Sequence, residues 1–213
     1  MNRFSITVLI ASLSLSSLAF ADTLLFNSPS GDLTSTTHTY ILDGINVVAT
    51  GFNGGDLFGK NKGGDENGLG LARDPSGDDE IFFKSTGPQD FIQIDVLNLI
   101  NAGFHNFQFE MGSSTGTEGW RVTACAKAGT AGYGPCPANA STVNGTSEGL
   151  IWAPANLSKT NHYLDFSSTG GNVLLKEIKA TAAPEPRFYG TLLAGMLALA
   201  GIVLRKRRSA ERA

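Results

Sequence analysis

The sequence has few charged residues and an excess of glycine, and together these features exclude several classes of protein. Charged residues make up 16% of the 213 residues, and 26 residues are glycine, whereas globular domains average about 25% charged residues and about 7% glycine. Coiled coils and helical repeats need abundant Glu, Lys, Ala and Leu, so the composition argues against both. The 13 phenylalanines and the hydrophobic fraction of 41% argue against a disordered chain, because they can supply a core.

Positive charge is scarce in the central part of the chain. Residues 22–183 contain 9 Lys and Arg against 17 Asp and Glu, a net charge of −8, although the whole chain has a net charge of only −3. An acidic surface of this kind repels a phosphate backbone. We therefore expect no nucleic-acid partner.

Residues 1–21 have the three parts of a secretory signal peptide. A basic start at residues 1–3 precedes an apolar, hydroxyl-rich run over 4–20, and Ala19 and Ala21 place small residues at the −3 and −1 positions of a cleavage site. An uncleaved N-terminal anchor is the alternative. The sequence thus predicts that the following domain folds outside the cytoplasm, where cysteines are oxidised.

A second uncharged run lies near the other end. Residues 188–204 contain 17 residues without charge, which as a helix would extend about 25 Å, at the short limit for a membrane span. A buried core helix is the alternative, but the run has no polar face. A basic stop-transfer cluster follows and favours a cytoplasmic C-terminus; it consists of Arg205, Lys206, Arg207 and Arg208.

Directly before this run stand Pro184, Glu185 and Pro186. The Pro-Glu-Pro triplet, the short hydrophobic helix and the basic tail, in this order over 184–208, resemble the PEP-CTERM sorting signal of Gram-negative bacteria. The resemblance implies recognition by exosortase, a membrane-embedded protease, in a host that makes extracellular polysaccharide. It also implies a membrane-anchored precursor with its ectodomain outside, and a mature form at the cell envelope, cell surface or extracellular matrix.

Residues 22–183 predict an all-β domain, a β-sandwich or jelly roll. Short stretches of alternating apolar and polar residues are separated by Gly, Asn, Asp and Ser. Asp43-Gly44 predicts the turn of a hairpin over residues 39–52, and residues 96–102 predict one short helix. We expect a long loop in the glycine-rich residues 51–70 and further strands near 92–96, 107–111, 120–124, 163–166 and 173–180.

A second resemblance concerns the domain itself. The resemblance lies in residues 67–71 (NGLGL), residues 78–81 (DDEI), Gly119-Trp120 and a closing strand that leads into the Pro-Glu-Pro triplet. In these features the domain resembles the choice-of-anchor type of β-sandwich ectodomain, which is common in PEP-CTERM proteins. The resemblance implies the fold, and it assigns no molecular function.

Two sets of side chains are candidate structural sites. Cys125 and Cys136 enclose ten residues, and in an oxidising compartment we expect them to form a disulfide. Clustered carboxylates suit Ca²⁺, which takes hard oxygen ligands, so a structural calcium site is one interpretation of the acidic segment and a solvated acidic loop is the other. The carboxylates in question are Asp74, Asp78, Asp79 and Glu80.

No catalytic constellation is evident. Two Gly-x-Ser-x-Gly matches, centred on Ser114 and Ser147, lack the helix that must follow a nucleophile elbow. We expect a non-enzymatic envelope or matrix protein. One alternative is a carbohydrate-binding module for extracellular polysaccharide and another is a glycan hydrolase with two distant carboxylates. The aromatic residues available to stack on sugars are Trp120, Trp152, Tyr133 and Tyr163.

Overall fold

The computed structural model describes residues 21–72, 76–113, 118–136, 141–182, 195, 196 and 200, and Phe20–Ala183 group as one unit. Among the described residues, no helix is both long and apolar enough to cross a membrane. Most of the predicted signal peptide and of the predicted span lies outside them. So do all residues of the sorting and stop-transfer motifs, namely Pro184, Glu185, Pro186, Arg205, Lys206, Arg207 and Arg208.

The described residues form two antiparallel sheets, which confirms the prediction of an all-β domain. The described part of the chain contains fourteen strands, a 3₁₀ turn at Gly64–Glu66 and an α-helix, α1, at Leu97–Asn101. In chain order the strands are β1 Ala21–Leu25, β2 Gly31–Asp32, β3 Thr37–Leu42, β4 Ile45–Phe52, β5 Leu57–Asn61, β6 Asn67–Leu71, β7 Ile81–Phe82, β8 Phe91–Asp95, β9 His105–Gly112, β10 Gly119–Cys125, β11 Thr142–Gly145, β12 Ile151–Trp152, β13 Tyr163–Gly170 and β14 Asn172–Thr181.

The long strand β14 organises the eight-stranded sheet. This sheet has the order β12-β9-β14-β6-β5-β2, and β1 and β7 also pair with β14. The six-stranded sheet has the order β11-β10-β13-β8-β4-β3. Because β1 pairs with β14 over its whole length, from Ala21 opposite Thr181 to Leu25 opposite Glu177, the domain begins and ends in neighbouring strands.

The two sheets pack face to face in a sandwich-like arrangement, through large aromatic side chains. Phe109 of β9 contacts Trp120 of β10 and Phe166 of β13 edge to face, with ring centroids 5.4 and 5.5 Å apart. Such pairs add specific geometry to the burial of apolar area. The indole Nε1 of Trp120 donates a hydrogen bond to the Ser147 carbonyl at 3.0 Å, so the one polar atom of this buried ring is satisfied.

The predicted hairpin is confirmed. Strands β3 and β4 pair from Thr37 opposite Thr50 to Leu42 opposite Ile45, and Asp43 and Gly44 form the two-residue turn with φ of 50° and 76°. Positive φ at both turn positions matches the right-handed twist of the strands. The predicted helix near 96–102 is also confirmed as α1.

The expected long loop at residues 51–70 is wrong. The segment contains the end of β4, all of β5 and most of β6, and β5 and β6 pair from Leu57 opposite Leu71 to Asn61 opposite Asn67. A Cβ on Gly59 would overlap the Pro29 carbonyl oxygen, and a Cβ on Gly70 would overlap that of Asp79. These glycines therefore lie in strands and allow a second backbone to approach closely. Composition alone cannot distinguish such glycine-rich strands from a glycine-rich loop.

Candidate functional site

Cys125 and Cys136 form a disulfide, as the sequence predicts. The loop that they close lies on the six-stranded sheet, where Asn53 holds it with both ends of its amide. Asn53 Nδ2 donates to the Tyr133 carbonyl at 2.8 Å, and Asn53 Oδ1 accepts from the Gly132 N–H at 2.8 Å. The loop is thus fixed by hydrogen bonds as well as by the covalent link.

Asp165 of β13 is a buried carboxylate beneath this disulfide, and it is 1% exposed. Its Oδ1 accepts a 2.6 Å hydrogen bond from Gln93 Nε2, and its Oδ2 accepts one from the Cys136 N–H at 3.0 Å and lies 3.1 Å from Cys125 Sγ. Burial raises the pKa of Asp165 to about 6, although both hydrogen bonds favour the charged form. The cluster supports the loop, and its two sulfurs are bonded to each other rather than available as thiolate ligands.

The candidate calcium ligands are only partly described. Asp74 lies outside the described residues. Asp78 Oδ2 accepts a hydrogen bond from Asn172 Nδ2 at 3.4 Å, and Asp79 is half-buried. Among the described residues, Asp78, Asp79 and Glu80 do not form a group of three with ligand atoms within 4.8 Å of one another.

Glu80 instead belongs to a buried ion-pair cluster. Glu80 is 2% exposed, and its carboxylate is in contact with the Lys60 ammonium, which also pairs with Glu66. The Ser113 hydroxyl lies within hydrogen-bond distance of Glu80 Oε1 at 2.9 Å and Glu66 Oε1 at 3.1 Å. Burial raises the pKa of Glu80, and the bonds from Lys60 and Ser113 offset this only in part.

A concave site lies at the end of the sandwich where β1 starts and β14 ends. It is a groove of about 360 Å³ between the end of α1, the start of β9 and the segment that follows β12. The residues that line it include Ile100, His105, Asn106, Trp152, Pro154 and Leu157.

Backbone hydrogen bonds hold both walls of the groove. On one side α1 ends where the Phe104 N–H donates to the Leu99 carbonyl at 3.0 Å and the chain turns into β9. On the other side, the Ala153 N–H donates to the Phe107 carbonyl at 2.9 Å, which extends the pairing of β12 with β9. Both walls are therefore joined to β9, the first through the chain itself and the second through a backbone hydrogen bond.

The four candidate aromatic residues have different surroundings. Trp120 is 1% exposed and belongs to the core, whereas Tyr163 is half-buried and contacts the His162 ring. Tyr133, 69% exposed, lies on the disulfide loop, and Trp152, 60% exposed, lies in the groove. His105 and Asn106 have no recognisable sequence signal, because isolated polar residues at the start of a strand are common.

No family model, no curated protein and no solved structure matches this chain.

Proposed function

We propose that this protein is an exported surface protein of the cell envelope or extracellular matrix, without catalytic activity. In this proposal residues 1–21 direct export, residues 188–204 hold the precursor in the membrane, and the Pro-Glu-Pro triplet at 184–186 marks it for an exosortase-type protease. The resemblance of the C-terminal segment to PEP-CTERM signals and the acidic, glycine-rich composition of the domain support it.

The observation that carries the proposal is the pairing of the first and last strands. Ala21 lies opposite Thr181, so the predicted signal-peptide cleavage site and the sorting motif, which begins at Pro184, leave the domain at the same end. In this proposal Pro184 and Pro186 favour an extended segment around Glu185, because proline fixes φ and disfavours helix in the residue before it.

The test uses the full chain expressed in an exosortase-bearing host. Deletion of Pro184, Glu185 and Pro186 should leave the protein at full length in the membrane fraction, whereas the wild type should leave that fraction with a shortened C-terminus. A matched control replaces Ser209 and Glu211 by alanine, beyond the basic cluster, and should behave as the wild type. Recovery of the peptide from Arg205 to the C-terminus in the mature wild-type protein by mass spectrometry would show a permanent anchor and overturn the sorting proposal.

A further inference from the structure

We propose that the groove at Trp152 binds a pyranose ring of an uncharged polysaccharide. The inference rests on the proposed function, because a surface protein meets extracellular polysaccharide, and it assigns to that protein a ligand class and a site. Four observations carry it: the exposure of Trp152, the uncharged lining, the polar groups beside the ring and the size of the groove.

Trp152 is exposed at a position where the fold does not need it. An indole side chain is among the largest apolar groups, and its exposure gives up burial energy that the other tryptophan, Trp120, uses in the core. Trp152 lies in a strand of only two residues and is opposite Gln108, while its neighbour Ile151 is opposite the buried Phe109. The alternation therefore places Trp152 on the solvent side, where a flat ring can stack on the C–H face of a sugar.

The groove carries no formal charge. None of the described residues that line it is Asp, Glu, Lys or Arg, although the domain around it has a net charge of −8. An opposite charge at the site would strengthen recognition of a phosphate, a carboxylate or an ammonium group, and the lining supplies none. The ligand class that fits is therefore a neutral one.

Polar groups next to the indole suit sugar hydroxyls. His105 Nδ1 lies 3.2 Å from the Gly103 carbonyl, and because a carbonyl can only accept, Nδ1 carries the proton in this contact. Nε2 of the neutral ring is then an acceptor. Asn106, adjacent and exposed, offers both an amide donor and an acceptor.

The strand register extends this polar surface across the sheet. Trp152 is opposite Gln108, and Gln108 is opposite Lys179, whose ammonium pairs with Glu177 at 2.8 Å. Lys179 in turn is opposite Thr23. Residues directly opposite one another in antiparallel strands share a face. A sugar chain that starts on the indole can thus continue over a row of hydrogen-bonding side chains.

The size of the groove favours one or two sugar rings over a folded partner. Its volume of about 360 Å³ lies near the lower end of the range for small-molecule sites, about 300–1,000 Å³. An amphipathic helix needs a longer apolar groove for anchors one and two turns apart. Two sources can supply a neutral pyranose, a free polysaccharide and the head group of a glycolipid.

The chain offers a direct optical test, because it has only two tryptophans. The full-length protein, in a detergent without a sugar head group, is titrated with hexasaccharides of glucose, xylose, mannose and N-acetylglucosamine, and with a polyuronate. We expect a neutral hexasaccharide to shift the emission of Trp152 to shorter wavelength and to protect it from iodide quenching. Vesicles with and without a glycolipid bearing the same sugar distinguish the two sources.

Variants then locate the site. Trp152→Ala should weaken binding about tenfold or more, while Trp152→Phe, which keeps a ring, should weaken it less. His105→Ala and Asn106→Gly should each weaken it about two- to tenfold, the range of one hydrogen bond; Asn106 has φ of 53°, which glycine adopts without strain. Binding to the Trp152→Ala variant is followed by calorimetry, and the emission of Trp120 reports whether this variant is folded.

The matched control is Tyr133→Ala, which removes another exposed aromatic ring from the disulfide loop and should leave binding unchanged. Equal losses in Tyr133→Ala and Trp152→Ala would indicate nonspecific stacking and overturn the proposal. So would tighter binding of the polyuronate, of bare vesicles or of an apolar peptide, or an absence of binding to every neutral probe. None of these results bears on export or C-terminal processing, which the sorting experiment measures separately.

Discussion

Glu80 and Asp165 are two of the carboxylates buried in the described part of the chain, and the protein compensates their charges in different ways. Glu80 contacts the buried ammonium of Lys60, which it shares with Glu66. The described polar partners of Asp165 are neutral, an amide from Gln93 and a backbone N–H from Cys136. An ion pair keeps its charge across neutral pH, whereas a carboxylate held by neutral donors gives up part of its charge instead.

The difference predicts that the two clusters respond to different perturbations. The Lys60 cluster depends on its cation, since burial alone would lower the pKa of Lys60 and the bonds and charges of Glu66 and Glu80 raise it. The Asp165 cluster depends on the disulfide loop that covers it and on pH. Four experiments separate these dependences, in order of decreasing effect.

Loss of the cation should have the largest effect. Lys60→Met removes the buried ammonium that pairs with Glu80 and Glu66, and breaking a buried pair from one side typically costs about 3–5 kcal/mol of unfolding free energy. The measurement is urea unfolding at pH 7. Lys62→Met is the matched control, because Lys62 is exposed and such substitutions change stability by less than about 0.5 kcal/mol; equal losses in the two variants would contradict the assignment. Adding Glu80→Gln to Lys60→Met should restore part of the loss.

Loss of the disulfide should come second. Replacing both Cys125 and Cys136 by serine should lower the unfolding free energy by about 2–4 kcal/mol, because the unfolded chain regains the entropy of an open loop. The melting temperature of the variant is compared with that of the wild type under oxidising conditions. Labelling of both cysteines by a thiol reagent in the non-reduced, folded wild type would contradict the disulfide itself.

The Asp165 carboxyl should make stability depend on pH. Its pKa is about 6 in the fold against 3.8 for the ordinary group, so between these values the native state holds a proton that the unfolded state has released. Stability therefore falls as pH rises from about 4 to about 6, by about 2–3 kcal/mol from this group.

Asp165→Asn should abolish this slope, whatever it does to stability at a single pH. Unfolding of the variant and the wild type is followed at several values between pH 4 and 7, and the difference between the two curves isolates the group. Asp43→Asn, in an exposed turn where Asn-Gly is also favoured, removes a carboxylate as the control and should follow the wild type. A pH profile of Asp165→Asn parallel to that of the wild type would refute the assignment.

Calcium should have the smallest effect. Because Lys60 already neutralises Glu80, we expect the same melting temperature in chelator and in about 10 mM Ca²⁺, roughly saturating for weak extracellular sites. A higher melting temperature in Ca²⁺ that disappears in Asp78→Asn would restore the calcium interpretation of the acidic segment.

The sequence predicted those features that depend on neighbouring residues. Asp43-Gly44 indicated its hairpin because positive φ at two successive positions is a local requirement, and alternation indicated β8, β9 and β10 because side chains alternate along any strand. The disulfide followed from the expected compartment and from a spacing of ten enclosed residues. The loop prediction for the glycine-rich segment failed because its glycines allow the backbones of Pro29 and Asp79 to approach closely. Both of these residues lie outside the β5–β6 hairpin, so no local pattern indicates the contacts.

The residues of the candidate groove could also be identified only in part from the sequence. Trp152 could be named as an aromatic residue available for stacking on a sugar. No sequence pattern distinguished it from the other three candidates, Trp120, Tyr133 and Tyr163. Their burial differs because each position pairs with a particular strand, and His105 and Asn106 join Trp152 only because β12 pairs with β9.

By itself the sequence determined that the domain is all-β, where about half of its strands lie and which residues turn its first hairpin, since these depend on the period of side chains and on backbone preferences over a few residues. Only the tertiary structure decided that Glu80 meets Lys60 rather than a metal-binding cluster, that Asp165 lies beneath the disulfide, and that one tryptophan is core and the other surface. Partners such as Gln93 and Asp165 are separated by 72 residues. Their contact results from the order in which strands pair, which no local pattern specifies.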